Sequence, residues 1–328
     1  MTLALGPILN EDLFVYTMSN FVKPKDIFNC ACVCKLWNQF AESSTIWKSH
    51  FTSQGIPMVS PAGEARNYRS DFRVLYPVTT VSGEAIRRTL GEPIGNVPCV
   101  TVEFFDRLSQ PDLFDPAKFQ KETFELVVEY PFIERVLGTN ECPLALDECG
   151  NLVEVPPSDG TEVDDAAQTP TRIPFTLRNR ITLAKYPLMG KEHMPVFSYV
   201  SDLALMQNDY CPLNVNVYYQ TRRIVDGTRN LPYSEKKAFV EAKGLSVMPL
   251  GSRVLSNIVQ IIFSGICPDD KTSYARTSSL FYLGGDVYQT ALGGFEPVLG
   301  MYVMDFIQCE KNDKVGVVAG GPAEAVVS

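Results

Sequence analysis

The first residues of the chain place apolar side chains three and four positions apart, the spacing of a helix that buries one face. A first helix is predicted to begin after Asn10, a favourable N-cap residue that two carboxylates follow. Leu9 and Phe14 occupy the positions of a hydrophobic staple, which fixes how the chain enters a helix. The apolar face of this helix consists of Leu13, Phe14, Thr17, Met18 and Phe21.

A second helix is predicted from Pro24, which suits the first helical position, and Asp26 lies in its first turn near the positive end of the dipole. On one long helix Cys30 and Cys34 share a face, whereas Cys32 points elsewhere. The alternating cysteines are therefore interpreted as small apolar residues and not as a metal site. The apolar stripe of this helix consists of Ile27, Cys30, Ala31, Cys34, Trp37 and Ala41.

A short third helix is predicted through Ile46, Trp47 and Phe51, because Ser43 or Ser44 can supply its N-cap. We expect the three helices to form one module over residues 6–52. A helical unit of this size that is apolar on more than one side cannot bury all of its apolar surface alone. The surplus face predicts either a protein partner or packing against the rest of the chain.

The spacing of a few residues in this module is specific. Asp26, Val33 and Trp37 lie in the segment KPKDIFNCACVCKLW, and Trp47 follows ten residues after Trp37 in the segment IWK. This pattern resembles the F-box, the small helical domain that docks onto the Skp1 adaptor of cullin-RING ubiquitin ligases. The preceding segment LNEDLFVYTMSNF is similar to the opening helix of that family.

Three positions depart from the usual F-box pattern. Asn10 stands where the family prefers proline, Thr17 replaces the usual isoleucine, and Lys23 is an extra residue before the proline. These differences affect single contacts and leave the spacing intact. The matching part covers about a seventh of the chain, so the resemblance concerns the N-terminal module alone.

The resemblance implies a Skp1-binding surface near the first loop and along the helices. Mapped by position, this surface consists of Leu9, Leu13, Phe21, Pro24, Ile27, Val33 and Cys34. Trp37 and Trp47 are expected to form the module's own core. The implied function is that of a non-catalytic adaptor in an SCF-type ubiquitin ligase, which recruits a protein substrate through the remainder of the chain.

Beyond the module the pattern changes to short β-rich runs separated by proline and glycine. LNVNVYYQ alternates apolar and polar residues, as expected of a strand with one buried face, and IVQIIF is uniformly apolar, which favours a central strand. Strands are predicted at 73–81, 97–105, 124–130, 179–186, 195–200, 213–225, 256–265 and 298–309. Short helices are predicted at 83–91, 115–124 and 232–244, the last with Ser234 as its N-cap and Gly244 as its stop.

The predicted fold class is α+β, with a small three-helix N-terminal F-box followed by a larger mainly-β (α+β) domain over residues 60–328. A polar, acidic loop interrupts that domain at 156–171. The larger domain shows no leucine-rich, WD40 or kelch repeat period. Leu-Gly-Gly recurs at Leu283 and Leu292, which predicts a turn, a short strand and a second turn.

Composition and charge narrow the function classes. The chain has 328 residues, and its 45% hydrophobic and 20% charged fractions are those of a globular protein. Its net charge of −9 disfavours a general nucleic-acid role, because such binding depends on basic side chains. Nine cysteines in no evident framework favour a reducing compartment, so we expect a cytoplasmic protein, of its own or a host cell, with the nucleus left open. We expect neither a membrane span nor a secretory signal.

Candidate catalytic groups are few. The chain contains two histidines, His50 and His193. His193 lies beside Glu192 and could act as a base, but a lone histidine in a Pro- and Gly-flanked loop is more typical of a surface residue. We expect no catalytic residue and no cofactor.

Candidate metal and anion sites are weak as well. The carboxylates at 147–151 and 267–271 lack the alternation of a calcium loop, and Cys142 and Cys149 lack the second close pair that zinc needs. Arg276 in SYARTSS could receive an anion, although polar decoration of a strand edge is favoured. We therefore expect no metal site. Two functions stay open for the larger domain: substrate recruitment, or an enzyme or small-ligand binder whose F-box serves targeting or turnover.

Overall fold

The computed structural model describes residues 11–56, 68–69, 72–73, 79–98, 124–155, 169–189, 195–264, 267, 273–308 and 310–322. Leu9, His193, most of the predicted elements at 97–105 and 115–124, and residues 156–168 of the polar loop lie outside these ranges. The described part contains nine helices and fifteen strands, so the α+β prediction is confirmed. None of these helices is long and apolar enough to cross a membrane.

The N-terminal segment folds as four helices: α1 Glu11–Asn20, α2 Pro24–Ala31, α3 Lys35–Phe40 and α4 Ser44–Gln54. The predicted second helix is thus divided into α2 and α3. The reason lies at Cys34, whose backbone is extended (φ −160°, ψ 167°) and whose Sγ accepts a hydrogen bond from the Trp37 N–H at 3.5 Å. Cys34 is therefore the N-cap of a new helix and not an interior residue of a long one.

The larger domain begins with β1 Thr79–Val81, α5 Gly83–Thr89, β2 Glu92–Ile94, β3 Phe124–Glu129, β4 Phe132–Arg135, β5 Leu144–Leu146, β6 Leu152–Glu154, β7 Thr171–Pro174 and α6 Leu177–Leu183. It continues with β8 Phe197–Val200, α7 Asp202–Asn208, β9 Asn216–Thr221, α8 Tyr233–Glu241, β10 Ser246–Val247 and α9 Leu250–Ser264. It ends with β11 Tyr274–Leu283, β12 Asp286–Glu296, β13 Gly300–Ile307, β14 Val315–Val317 and β15 Ala319–Pro322.

These strands form two five-stranded sheets, in the orders β1-β3-β9-β15-β10 and β14-β11-β12-β13-β8. A three-stranded sheet (β2-β4-β7) and a two-stranded hairpin (β5-β6) accompany them. The helix α9 contacts both large sheets, through β1 and β3 on one and β11 and β12 on the other. The core of the larger domain is therefore centred on α9.

Two predicted strands are wrong, because residues 179–186 fall largely in α6 and residues 256–265 fall in α9. Helix α9 lies against both large sheets, and side chains such as Leu255, Ile258 and Val259 are at most 1% exposed. Its polar residues Ser256 and Gln260 bind the buried Glu125, so the polar positions of this run face the core and the run lacks the solvent-facing side that marks most helices. The α6 helix begins where Thr176 Oγ1 accepts the Asn179 N–H at 3.3 Å.

Other predicted elements are confirmed. Strands β3, β8, β9 and β13 lie in the runs at 124–130, 195–200, 213–225 and 298–309, and helices α5 and α8 lie at 83–91 and 232–244. The residue at the N-cap of α8 is Pro232 and not Ser234, and Gly244 follows that helix with φ +70°. The first Leu-Gly-Gly is the turn between β11 and β12, whereas the second lies within β12.

Candidate functional site

The four N-terminal helices pack around aromatic side chains. Trp47 is completely buried, and its Nε1 donates a hydrogen bond to the Ala41 carbonyl oxygen at 2.6 Å. The Phe28 ring stacks on Trp47 with 4.8 Å between ring centroids. Trp37 is half-buried and meets the Phe14 ring edge-on at 5.6 Å. The two tryptophans therefore join α3 and α4 to the first two helices.

This core extends beyond residue 52. Phe72 is 1% exposed, and its ring lies 5.3 Å from that of Trp47 and 5.1 Å from that of Phe51. The guanidinium groups of Arg69 and Arg73 lie over the Phe28 ring, which binds cations through its π face. Arg69, Phe72 and Arg73 thus add to this core from beyond the predicted end of the module at residue 52.

His50 has a structural position in the same core. Its side chain is buried, and Nε2 lies 2.9 Å from the Met18 carbonyl oxygen, so this nitrogen carries the proton that it donates. Burial lowers the pKa of His50, although the bond to Met18 opposes the shift. The neutral imidazole joins α4 to α1 and is not available for catalysis.

The outer surface of the N-terminal helices carries large apolar side chains. Tyr16 and Phe21 make an edge-to-face contact with 5.8 Å between ring centroids, and both are exposed, whereas Phe14 and Met18 on α1 are buried. Five large apolar residues are exposed here: Leu13, Tyr16, Phe21, Val33 and Leu36, at 61%, 59%, 73%, 65% and 46%. We refer to these five residues as the exposed apolar surface. Five such side chains in a module of this size form a surface suited to a protein partner.

Residues 14–53 match the family model described as F-box-like. The N-terminal module is an F-box-like domain. The matched residues include all or part of α1 to α4 and their aromatic core. No curated protein and no solved structure matches the chain. The comparisons thus concern the F-box-like domain, and the larger domain is not recognised.

The residues expected to bind Skp1 differ in their exposure. Leu13, Phe21, Val33 and Cys34 are exposed on the F-box-like domain, and Pro24 is half-buried. Ile27 is completely buried, which corrects its assignment to the binding surface: its side chain packs in the core and cannot reach a partner.

Two exposed residues were not among the predicted contacts. Tyr16 follows Leu13 by three positions, so the helical period already places the two on one face. Leu36 could not be found in this way, because its exposure depends on the break between α2 and α3.

The exposed cysteines Cys32 and Cys34 of the F-box-like domain lie at helix ends. Cys32 ends α2 and donates its thiol hydrogen to the Phe28 carbonyl oxygen at 3.4 Å, and Cys34 caps α3. The structure corrects the prediction that Cys34 is a packed helical residue, since it is exposed. Within the described ranges, no group of three or more His, Cys, Asp or Glu side chains could hold a metal ion.

The F-box-like domain packs directly on the larger domain. The Gly83 N–H, at the start of α5, donates to the Gly55 carbonyl oxygen at 3.1 Å, and Arg87 Nη1 donates to the Ser53 carbonyl oxygen at 3.3 Å. A Cβ atom added to Gly55 would lie 2.4 Å from Gly83 Cα, which is closer than atoms can approach. The end of α4 is therefore held against α5 through backbone atoms.

One group of buried polar side chains in the larger domain is hydrogen-bonded around Glu125. Glu125 is completely buried on β3 and accepts hydrogen bonds from Gln220 and Ser256, both at 2.6 Å, and from Gln260 at 3.0 Å. Arg253 Nη1 lies 3.4 Å from the same carboxylate. The network joins β3, β9 and α9, so its physical role is to hold the core elements together.

Two buried cations lie close to the last strands. Arg276 is completely buried and donates to the carbonyl oxygens of Ile307, Gln308 and Glu310, so it does not decorate a strand edge. Lys236 is also buried, and its Nζ donates to the Val315 carbonyl oxygen at 2.5 Å. Burial lowers the pKa of Lys236 to about 7, and the nearby Arg276 charge acts in the same direction.

Proposed function

We propose that this protein is an adaptor that binds Skp1 through its F-box-like domain and recruits a protein substrate through its larger domain. The observation that carries the proposal is the exposed apolar surface on a domain whose other large apolar side chains are buried or half-buried in its core. Burying that surface against a partner removes apolar area from water, which is the main driving force of protein association.

The position of the exposed apolar surface fits this function. The surface lies on α1, on α3 and at the α2–α3 turn, whereas the end of α4 contacts α5 of the larger domain. Skp1 and the larger domain would therefore occupy different faces of the F-box-like domain. An adaptor acts by proximity, because holding a substrate near a charged ubiquitin-conjugating enzyme raises its effective concentration.

The test replaces Leu13, Phe21 and Val33 together with serine. All three side chains are exposed, so the fold should persist and the circular dichroism spectrum should not change. If each buried apolar side chain contributes about 1.5 kcal/mol, the affinity for Skp1 falls by more than about a hundredfold. Co-purification of Skp1 with the wild-type protein and its loss from the variant is the expected result.

A matched control replaces three exposed apolar side chains of the larger domain with serine: Leu213, Tyr282 and Val298, which are 93%, 75% and 82% exposed. This control should retain Skp1. Equal binding by both triple variants would show that the exposed apolar surface is not the contact. A wild-type protein that does not bind Skp1 would refute the adaptor function itself.

A further inference from the structure

A cavity of about 510 Å³ opens in the larger domain. It lies between the end of α5, strand β4 and the turn at 139–142, and Gly91, Arg135, Cys142 and Leu188 are among its lining residues. Its volume lies within the range of about 300–1,000 Å³ that is typical of small-ligand sites. Arg87 also lines the cavity and donates to the Ser53 carbonyl oxygen, so one side of the cavity adjoins the contact between the F-box-like domain and the larger domain.

The buried positive charge that lines this cavity belongs to Arg135, at the end of β4. Its side chain is 6% exposed, and Nη1 donates to the Leu90 carbonyl oxygen at 3.3 Å. The buried Nε makes no hydrogen bond to any described residue, and no ion pair with a described carboxylate is present. A buried cation without an anionic partner is costly, so the site favours a ligand that brings an anion.

The rim of the cavity has the opposite charge. Glu134 and Glu141 line it and are exposed, whereas the third lining carboxylate, Glu92, is bound by Arg87 at 2.6 Å. A guanidinium group matches the planar carboxylate through two parallel hydrogen bonds, and exposed carboxylates favour a cation. The complementary ligand thus carries a carboxylate at one end and a positive charge near it.

The edge of a sheet adjoins the cavity and indicates the form of that ligand. Strand β2 is at the edge of the three-stranded sheet, and its first residue, Glu92, lines the cavity. If the end of an extended peptide occupied the cavity, the rest of the peptide could run along this strand edge, where main-chain groups are available for pairing.

We propose that the cavity binds the C-terminal carboxylate of a polypeptide that has a lysine or arginine close to its end. Arg135 binds the carboxylate, and Glu134 and Glu141 face the basic side chain. The identification of this polypeptide as the substrate rests on the proposed adaptor function. The binding itself does not involve Skp1, so the two proposals fail separately.

The test uses the full-length protein on an array of hexapeptides with varied sequences. Each peptide is displayed with a free C-terminal carboxylate or with a C-terminal amide, and with lysine or glutamate third from the end. The expected result is binding at least tenfold stronger for the free carboxylate with lysine than for either change. Equal binding of the acid and amide series would overturn the proposal.

Three variants locate the binding. Arg135→Gln removes the guanidinium group. Leu188→Trp places a larger side chain at the cavity, and because Leu188 is 52% exposed, this second variant leaves Arg135 and the core intact. The matched control is Arg223→Gln, an exposed arginine two residues after strand β9 that does not line the cavity. Both cavity variants should lose the carboxylate preference, and the control should keep it. Retention of the preference by Leu188→Trp would exclude this cavity as the site.

Free arginine, added as a competitor, distinguishes a site for a peptide C-terminus from a site for a single amino acid. A peptide occupant predicts that free arginine at the peptide concentration leaves the array signal unchanged. Complete competition at that concentration would contradict the assignment to a polypeptide end.

Discussion

The Gly83 backbone N–H donates to the Gly55 carbonyl oxygen at 3.1 Å, and these two glycines join the F-box-like domain to the larger domain. Gly55 has φ +57°, and neither residue has a side chain that would separate α4 from α5. A contact through backbone atoms leaves little freedom for α4 to rotate on α5. Under the proposed adaptor function, a substrate bound to the larger domain would have a fixed orientation relative to the F-box-like domain.

The first prediction concerns this junction. Gly55→Ala would place a Cβ atom 2.4 Å from Gly83 Cα and should lower the free energy of unfolding by about 2 kcal/mol beyond the strain of the left-handed backbone. The control is Gly138→Ala, because Gly138 has φ +74° and no atom within 4 Å of the new Cβ. Urea denaturation of both variants checks the difference. Equal losses would mean that the junction is not tightly packed.

The second prediction concerns the extent of the F-box-like domain. Phe72→Ala should lower the free energy of unfolding by about 3–5 kcal/mol, because it opens a cavity beside Trp47 and Phe51. The control is Phe239→Ala on α8, where the phenylalanine is 36% exposed. This control should lower the free energy of unfolding by much less. Thermal denaturation followed by tryptophan fluorescence reports directly on this core. An unchanged transition in Phe72→Ala would contradict the packing of Phe72 on the F-box helices.

The third prediction concerns pH and Lys236. The pKa of this lysine is lowered from 10.5 to about 7 in the folded protein, so the unfolded chain binds the proton more tightly. As the pH falls from 10.5 to about 7, the unfolded state becomes protonated first and the wild-type protein loses stability. Below this window both states are protonated and the loss is complete.

The measurement for Lys236 compares Lys236→Met with the wild-type protein by urea denaturation across that pH window. Relative to the wild type, the variant should gain stability as the pH decreases, since methionine cannot take up a proton. Lys237→Met is the control, because Lys237 is exposed and pairs with Glu241 at 3.6 Å. Parallel pH profiles for Lys236→Met and the wild type would mean that Lys236 keeps its ordinary pKa.

The F-box-like domain was predictable from sequence because its signals are local. Pro24 at the start of α2 and the spacing of Asp26, Val33, Trp37 and Trp47 lie within a few turns of helix. The break at Cys34 was missed, since the apolar period continues across it and gives no sign that the backbone becomes extended there.

The remaining errors arise from contacts between residues distant in sequence. Ile27 occupies an apolar helical position, but the sequence does not state whether that position faces the core or a partner. The Phe72 contact with Trp47 joins residues that no short motif connects. Helix α9 is buried by sheets on several sides, so its uniformly apolar segment looks the same as a central strand.

The most direct test of the adaptor function is hydrogen–deuterium exchange of the full-length protein with and without purified Skp1. Skp1 is expected to slow exchange in α1 and at the α2–α3 turn, where the exposed apolar surface lies, and to leave exchange in β11 to β13 unchanged. An exchange pattern unaffected by Skp1, or protection confined to the larger domain, would contradict the proposed adaptor function.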